Sequence, residues 1–283
     1  MIIYAAGFSI IKKVTPEFIT PAGFVAIRVL GATPLLWLSG LFIREKVEKA
    51  DLKKIVMLSL FGVTINQSLF IKGMSMTSSI SGAIIMVTTP LLVLLLGNFI
   101  FKEKFTWQRV TGITVGLGGA VLMVATSAFD NGKDDNLWGD VCIFVNALSW
   151  GTFLVLVKPL MQRYNTITVL KWVFLFGIPI LVPLGWTGMM DAKWSTFDGI
   201  TWFNIGFVVI GVTFVAYLLN VYSLKVLSPT VVSAYIYLQP LFAAAIAIYW
   251  FGAGITWYKI VSALLIFAGV MLASQNSNRK TIP

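Results

Sequence analysis

SSISGAIIMVTTPLLVLLLGNFIFKEKFTWQRVTG (residues 78–112) is written a second time as SPTVVSAYIYLQPLFAAAIAIYWFGAGITWYKIVS (residues 228–262). A constant shift of 150 places Ser78 on Ser228, Pro90 on Pro240, Phe101 on Phe251 and Thr106-Trp107 on Thr256-Trp257. The register runs on without a gap to Gly119 on Gly269 and Leu122 on Leu272. Apolar letters align easily between any two greasy helices. Proline, threonine and tryptophan in one register do not. Each copy reads as a long apolar helix with a proline inside, a short polar turn, a Thr-Trp helix start and a second apolar helix.

Composition sets the solvent. The chain has 283 residues, 58% hydrophobic and only 11% charged, with mean hydropathy +0.89. Soluble domains carry about 25% charge, so no water-facing surface can be built and the partner is a lipid bilayer. A hydrocarbon core about 30 Å thick takes about 20 apolar residues per helix, and the length allows about ten crossings. The apolar runs are continuous rather than alternating, which disfavours a β-barrel. Net charge is +10, but the basic residues sit in short loops between spans, so no nucleic-acid partner is expected. One cysteine, Cys142, and no histidine remove disulfides, the usual zinc ligands and histidine-based catalysis. No metal or cofactor is expected.

The spans read as 1–13, 21–43, 53–73, 78–101, 107–126, 138–161, 166–187, 201–223, 229–252 and 256–274. The fold class is therefore all-α polytopic membrane protein with ten transmembrane helices. The repeat extends across both halves. Tyr4-Ala5 and Lys12 meet Trp150-Gly151 and Lys158 at a shift of 146, Pro34 meets Pro179, and Gln67 meets Tyr217. The domains are then 1–126 (first five-helix repeat), 127–137 (polar connector), 138–275 (second repeat) and 276–283 (cytoplasmic tail). An odd number of spans inverts the second copy. The first span is short: three residues precede Tyr4 where twelve of the sixth span precede Trp150. Thirteen helical residues reach about 20 Å, so this helix is expected to be truncated at its N-terminus, with a start missing upstream. With the N-terminus inside, thirteen basic residues fall on the inner side and six on the outer, which places both termini in the cytoplasm.

These residues together resemble the EamA-type transporters of the drug/metabolite transporter superfamily. The resemblance rests on IYAAGFSIIKKVTPEFITP (3–21), Arg28, INQSLFIKGMSMTSSISGAIIMVTTPLL (65–92), WGDVCIFVNALSWGTFLVLVKPL (138–160) and LLNVYSLKVLSPTVVSAYIYLQPL (218–241). It implies two inverted repeats around a mid-membrane site, and export of amino acids, other metabolites or toxic compounds across a bacterial-type inner (plasma) membrane. The chain departs from the family's frequent Gly-Glu after the proline helix, with Lys102-Glu103 in one copy and Gly252-Ala253 in the other.

A polar side chain inside a bilayer faces a partner or a water-filled cavity. Helical spacing puts Ser228, Val232, Tyr235 and Gln239 on one face of the ninth span, matched by Ser78, Gly82, Ile85 and Thr89 in the fourth. Thr213, Tyr217 and Asn220 share a face in the eighth, matched by Val63, Gln67 and Phe70 in the third. Asn146, Trp150 and Phe153 share one in the sixth. The expected cavity lining is Gln67, Thr89, Asn146, Trp150, Tyr217, Asn220, Tyr235 and Gln239. Ile85 and Thr89 become Tyr235 and Gln239 in the second copy, so the binding surface is expected to be asymmetric. Pro90 and Pro240 are expected to kink their helices and free the carbonyls of Met86 and Ile236. Arg28 lies inside the second span and either holds a carboxylate or serves structure, the second being favoured. Lys12 and Lys158 lie near opposite mouths, as anion attractors or as interfacial anchors. Gly112, Gly116 and Gly119-Ala120 form a small-residue face, read as packing and as a candidate homodimer contact.

The reading is a secondary carrier, a permease for a small-molecule substrate, moving it by alternating access and in the direction of efflux. A passive facilitator or channel is the alternative, although no filter loop is visible. A membrane-embedded enzyme would need a nucleophile with its base, or metal ligands, and the chain has neither. Asp140 and Glu17 are the weak candidates for proton coupling.

Overall fold

The computed structural model describes residues 1–77, 82, 85–101, 106–128, 136–239, 242 and 257–274. Every regular element among them is helical. In chain order they are α1 (Ile2–Val14), α2 (Pro21–Ser39), α3 (Lys49–Met74), α4 (Thr89–Phe101), α5 (Trp107–Ala128), α6 (Leu137–Arg163), α7 (Thr166–Met190), α8 (Gly199–Ser223), α9 (Pro229–Ala234) and α10 (Trp257–Ser274). Polar residues start them. Thr20 accepts from the Gly23 amide at 3.2 Å, Asn136 from Trp138 at 2.9 Å, Asn165 from Ile167 at 3.0 Å and Asp198 from Thr201 at 2.7 Å. The Thr201 hydrogen bonds hold the Asp198 carboxyl below the usual carboxylate range. That cap therefore supports α8 at neutral pH and is lost only as pH falls through its depressed value.

Among the described residues, α2, α3, α6, α7 and α8 are long and apolar enough to cross a membrane. Their outward side chains agree: Leu38, Leu184, Phe203 and Leu219 are all more than half exposed. Apolar surface on that scale is not left facing water.

Two spans depart from plain α geometry at matched places. α3 carries a π-helical stretch at Leu60–Ile65, and α8 one at Phe207–Ala216. The shift of 150 carries the first into the second. The proline reading needs correction at Pro90. The fourth span is interrupted, not kinked: Val87 and Thr88 form a turn, and Pro90 lies in the first turn of a new helix. A proline costs nothing there, because its missing N–H has no helical acceptor. The Met86 carbonyl is not left open either, since the Thr89 hydroxyl donates to it at 2.7 Å. In the second copy α9 tightens into a 3-10 turn at Tyr235–Tyr237. Pro240 lies outside the described residues.

The helices pair closely, α2 along α7 and α5 along α10, with α3 against α6 and α1 against the π stretch of α8. The small-residue face of α5 is used inside the chain. A Cβ on Gly269 would lie 2.4 Å from the Gly116 nitrogen, and one on Gly112 would lie 2.5 Å from the Ala273 nitrogen. Those glycines let two backbones touch, so α10 covers the face read as a homodimer contact. Gly269→Leu is expected to cost on the order of 3 kcal/mol, because backbone cannot yield to the added volume. A thermal melt of the detergent-solubilised protein measures it.

On one face of the molecule a polar cluster joins the α2–α3 connector to the α6–α7 connector. Asp51, 1% exposed, accepts from Arg163 Nη1 at 2.5 Å, Lys54 Nζ at 2.9 Å and the Tyr164 hydroxyl at 3.0 Å. Arg163 Nη2 donates to Glu48 at 2.9 Å, and the Asn165 amide to Glu45 at 2.9 Å.

Candidate functional site

A π stretch bonds its carbonyls to amides five residues on rather than four, and several carbonyls in and beside the two stretches also accept from side chains. In and just after the stretch in α3, Phe61 O accepts from Ser149 Oγ at 2.7 Å, Gly62 O from the Tyr217 hydroxyl at 2.5 Å, and Asn66 O from Asn146 Nδ2 at 2.7 Å. In α8, Val208 O accepts from Thr213 Oγ1 at 2.8 Å, and Thr213 Oγ1 in turn accepts from Arg28 Nε at 2.9 Å. Side chains of α2, α6 and α8 thereby tie the loosened segments together at mid-helix. Rings stiffen the wall. Trp150 stacks on Phe153 with centroids 5.4 Å apart, and Tyr217 meets the edges of Trp150 at 5.0 Å and Phe174 at 5.2 Å.

A cavity of about 80 Å³ lies at this junction. It is lined by Tyr4, Arg28, Asn66, Gln67, Phe70, Met86, Asn146, Trp150, Val212, Tyr217, Asn220, Ile236 and Gln239. At about 30 Å³ of liquid volume each, it has room for two or three waters. Its polarity is unspent. Among the described residues, Gln67 Oε1 and Nε2, Asn146 Oδ1, Asn220 Oδ1 and Arg28 Nη1 are buried without a protein hydrogen-bond partner. A buried polar atom left so costs about 1–3 kcal/mol, and proteins rarely keep several together unless water or a ligand meets them.

Of the eight expected lining residues, six meet here: Gln67, Asn146, Trp150, Tyr217, Asn220 and Gln239. Thr89 does not. It is fully buried, and its hydroxyl is spent on the Met86 carbonyl. Tyr235 lines a second cavity of about 260 Å³, together with Met1, Val232, Ser223 and Leu227. The two cavities share Tyr4 and Asn220. Arg28, favoured as structural, braces α8 through Nε, and it is also among the residues that line the cavity. Lys158 turns inward, its Nζ donating to Leu224 O and, at 2.8 Å, to Leu227 O. It closes the C-terminus of α8 and does not extend to a mouth. The Lys12 side chain lies outside the described residues. Asp140 accepts from the Thr77 hydroxyl at 2.5 Å, and no carboxylate is among the lining residues.

The repeat carries a further signal of the lining. Tyr4 is the match of Trp150, and Met86 the match of Ile236, and all four line the cavity. A model of the EamA-like transporter family matches residues 1–125 and 137–275.

The chain belongs to the EamA-like transporter family.

Its relatives agree with that placement. This EamA-type chain is 25% identical to an uncharacterized transporter of Archaeoglobus fulgidus, over 99% of this chain and 96% of the relative. It is 26% identical to a probable terminal-alkyne amino-acid exporter of Streptantibioticus cattleyicolor, over 82% and 75%. A solved crystal structure superposes with a TM-score of 0.75 at 15% identity, covering 96% of this chain and 97% of that one, a likeness of fold alone. The protein is thus an integral membrane transporter of the drug/metabolite superfamily, and not an enzyme.

The hydroxyl of Tyr217 ties α8 to the loosened α3. Tyr217→Phe keeps the ring and removes the donor that ties α8 to Gly62 O. A loss of about 1–2 kcal/mol is expected, read as a lower melting temperature with unchanged expression.

Proposed function

We propose that this EamA-type protein is a secondary carrier that exports small organic solutes, such as amino acids, other metabolites or drugs, through the Gln67–Tyr217 cavity. The observation that carries this is the group of unpartnered polar atoms inside an aromatic wall at mid-helix. Amide and guanidinium groups fix the solute's polar end, and Trp150, Tyr217 and Tyr4 cover its apolar part. Ten helices form two inverted five-helix repeats, 1–126 and 138–275, with both termini on the cytoplasmic side of a bacterial-type inner membrane. The matched π stretches, the pairing of α2 with α7 and α5 with α10, and the matched lining pairs support that arrangement.

Motion has a natural seat where α3, α8 and the fourth span leave α geometry, since hinges absorb backbone change at such points. Among the described residues no carboxylate lines the cavity, which supports facilitated movement or exchange without an obligatory proton relay through it.

The test uses liposomes containing the purified full chain and loaded with a small-molecule extract of cells. Compounds released on dilution are identified by mass spectrometry. A carrier releases a restricted set, saturably, and release is stimulated by the same compound outside. Release that is unsaturable and unselective contradicts the carrier in favour of the channel. Release no different from empty liposomes contradicts both.

A further inference from the structure

Arg28 is held in an unusual way for a buried cation. Its side chain lies in α2 and is 5% exposed. One edge of the guanidinium is pinned, with Nε donating to Thr213 Oγ1 at 2.9 Å. Thr213 is itself fixed, since its hydroxyl donates to Val208 O in the π stretch of α8. The planar fork therefore has a set direction. Among the described residues Nη1 has no protein partner, and Arg28 is one of the residues that line the cavity. The contrast within the chain is instructive. Arg163 is met by Asp51 and Glu48, and Lys158 by two carbonyls. An arginine serving structure alone is saturated in this way, because an unmet buried charge is costly. Arg28 instead lines a cavity in which, among the described residues, no carboxylate is present.

We propose that the cavity selects solutes carrying a carboxylate, which binds Arg28 Nη1 and the Gln67 amide nitrogen, and that it rejects organic cations lacking an acid group. This rests on the carrier reading above and adds the substrate's charge to it. Arginine supplies parallel donors that suit carboxylate geometry. Gln67 Nε2 is a further buried donor with no partner. The remaining unmet atoms, Asn146 Oδ1, Asn220 Oδ1 and Gln67 Oε1, are acceptors and serve donor groups elsewhere on the solute. A cation without an acid leaves the guanidinium uncompensated and adds a like charge at close range, which is doubly unfavourable in a low-dielectric site.

The experiment compares the compounds released from extract-loaded liposomes with their own derivatives. For each released compound, the free acid, its primary amide and the corresponding amine without the acid compete for release by the wild-type chain. The acid is expected to compete at least tenfold better than the amide, and the amine not at all. In Arg28→Gln the tenfold preference is expected to fall to about one, and in Arg28→Lys, which keeps a charge but loses the pinned fork, to lie between. The preference ratio separates recognition from stability, because a merely structural defect lowers all competitors alike. Should Arg28→Gln fail to reach the membrane, the wild-type competition decides alone. Released compounds lacking an acid, or amides competing as well as acids, overturn the carboxylate assignment and leave the carrier standing. If wild-type liposomes release nothing, the carrier reading falls, and this one with it.

Discussion

Gln67→Leu is expected to cut solute release at least tenfold while leaving the protein as stable as the parent, or more so. The two effects have one cause. Gln67 is 2% exposed, and both atoms of its amide lack protein partners. Its folded state therefore bears a desolvation cost that no protein contact offsets, on the order of 1–3 kcal/mol. Leucine is close in shape and brings no polar atom, so the substitution removes that cost. What it also removes is a donor and an acceptor that a solute would use. Ordinary core residues behave the other way, losing stability when changed. A melting temperature that drops by several degrees, with transport intact, would make Gln67 a structural residue and weaken the cavity's assignment.

Asp51→Ala is expected to give the largest loss of stability among single polar substitutions in the described residues, on the order of 3 kcal/mol. Its carboxylate is buried and joins three donors: Lys54 in the first turns of α3, Arg163 at the end of α6 and Tyr164 just after it. Removing it frees Arg163 to water and leaves the Tyr164 hydroxyl, on a side chain 7% exposed, with only the longer 3.3 Å contact from the Glu48 amide. Exposed ion pairs contribute only about 0–1 kcal/mol, but a buried carboxylate with several charge-assisted hydrogen bonds stands above that range. The cluster also has a mechanical consequence. It fastens the start of α3 to the end of α6, so transport by Asp51→Ala should show weaker closure at that face, seen as faster leak of preloaded solute. A double-mutant cycle with Arg163→Ala should be strongly non-additive. Additive losses would mean that the pair is incidental.

The sequence carried the spans because lipid imposes one rule on every residue of a crossing helix. Proline, tryptophan and glycine registers then aligned the two halves, and the facing positions of the third, sixth and eighth spans followed from helical spacing. Gln67, Asn146, Trp150, Tyr217 and Asn220 were all legible in that way. Thr89 and Tyr235 were misplaced for a physical reason. Helical spacing assumes unbroken α geometry, and both sit next to a departure from it, the turn at Val87-Thr88 and the 3-10 turn at Tyr235–Tyr237. The π stretches were not legible either, since no residue type demands one, and the carbonyls of the first are met by side chains more than 80 positions away, Ser149 and Tyr217. The Asp51 cluster was hidden for the same reason. Its members looked like ordinary loop charges until folding brought two distant connectors together.

Water access at position 67 tests the central claim most directly, because it needs no knowledge of the substrate. Cys142 is the chain's one cysteine, so Cys142→Ser provides a thiol-free background into which Gln67→Cys is introduced. Membrane vesicles of each orientation are then treated with a charged, impermeant thiol reagent. A mid-membrane transport cavity predicts that the new thiol reacts with the reagent in native membranes. A thiol that stays unmodified from both faces until the protein is denatured would mean that Gln67 is sealed in a packed core, and would contradict the account.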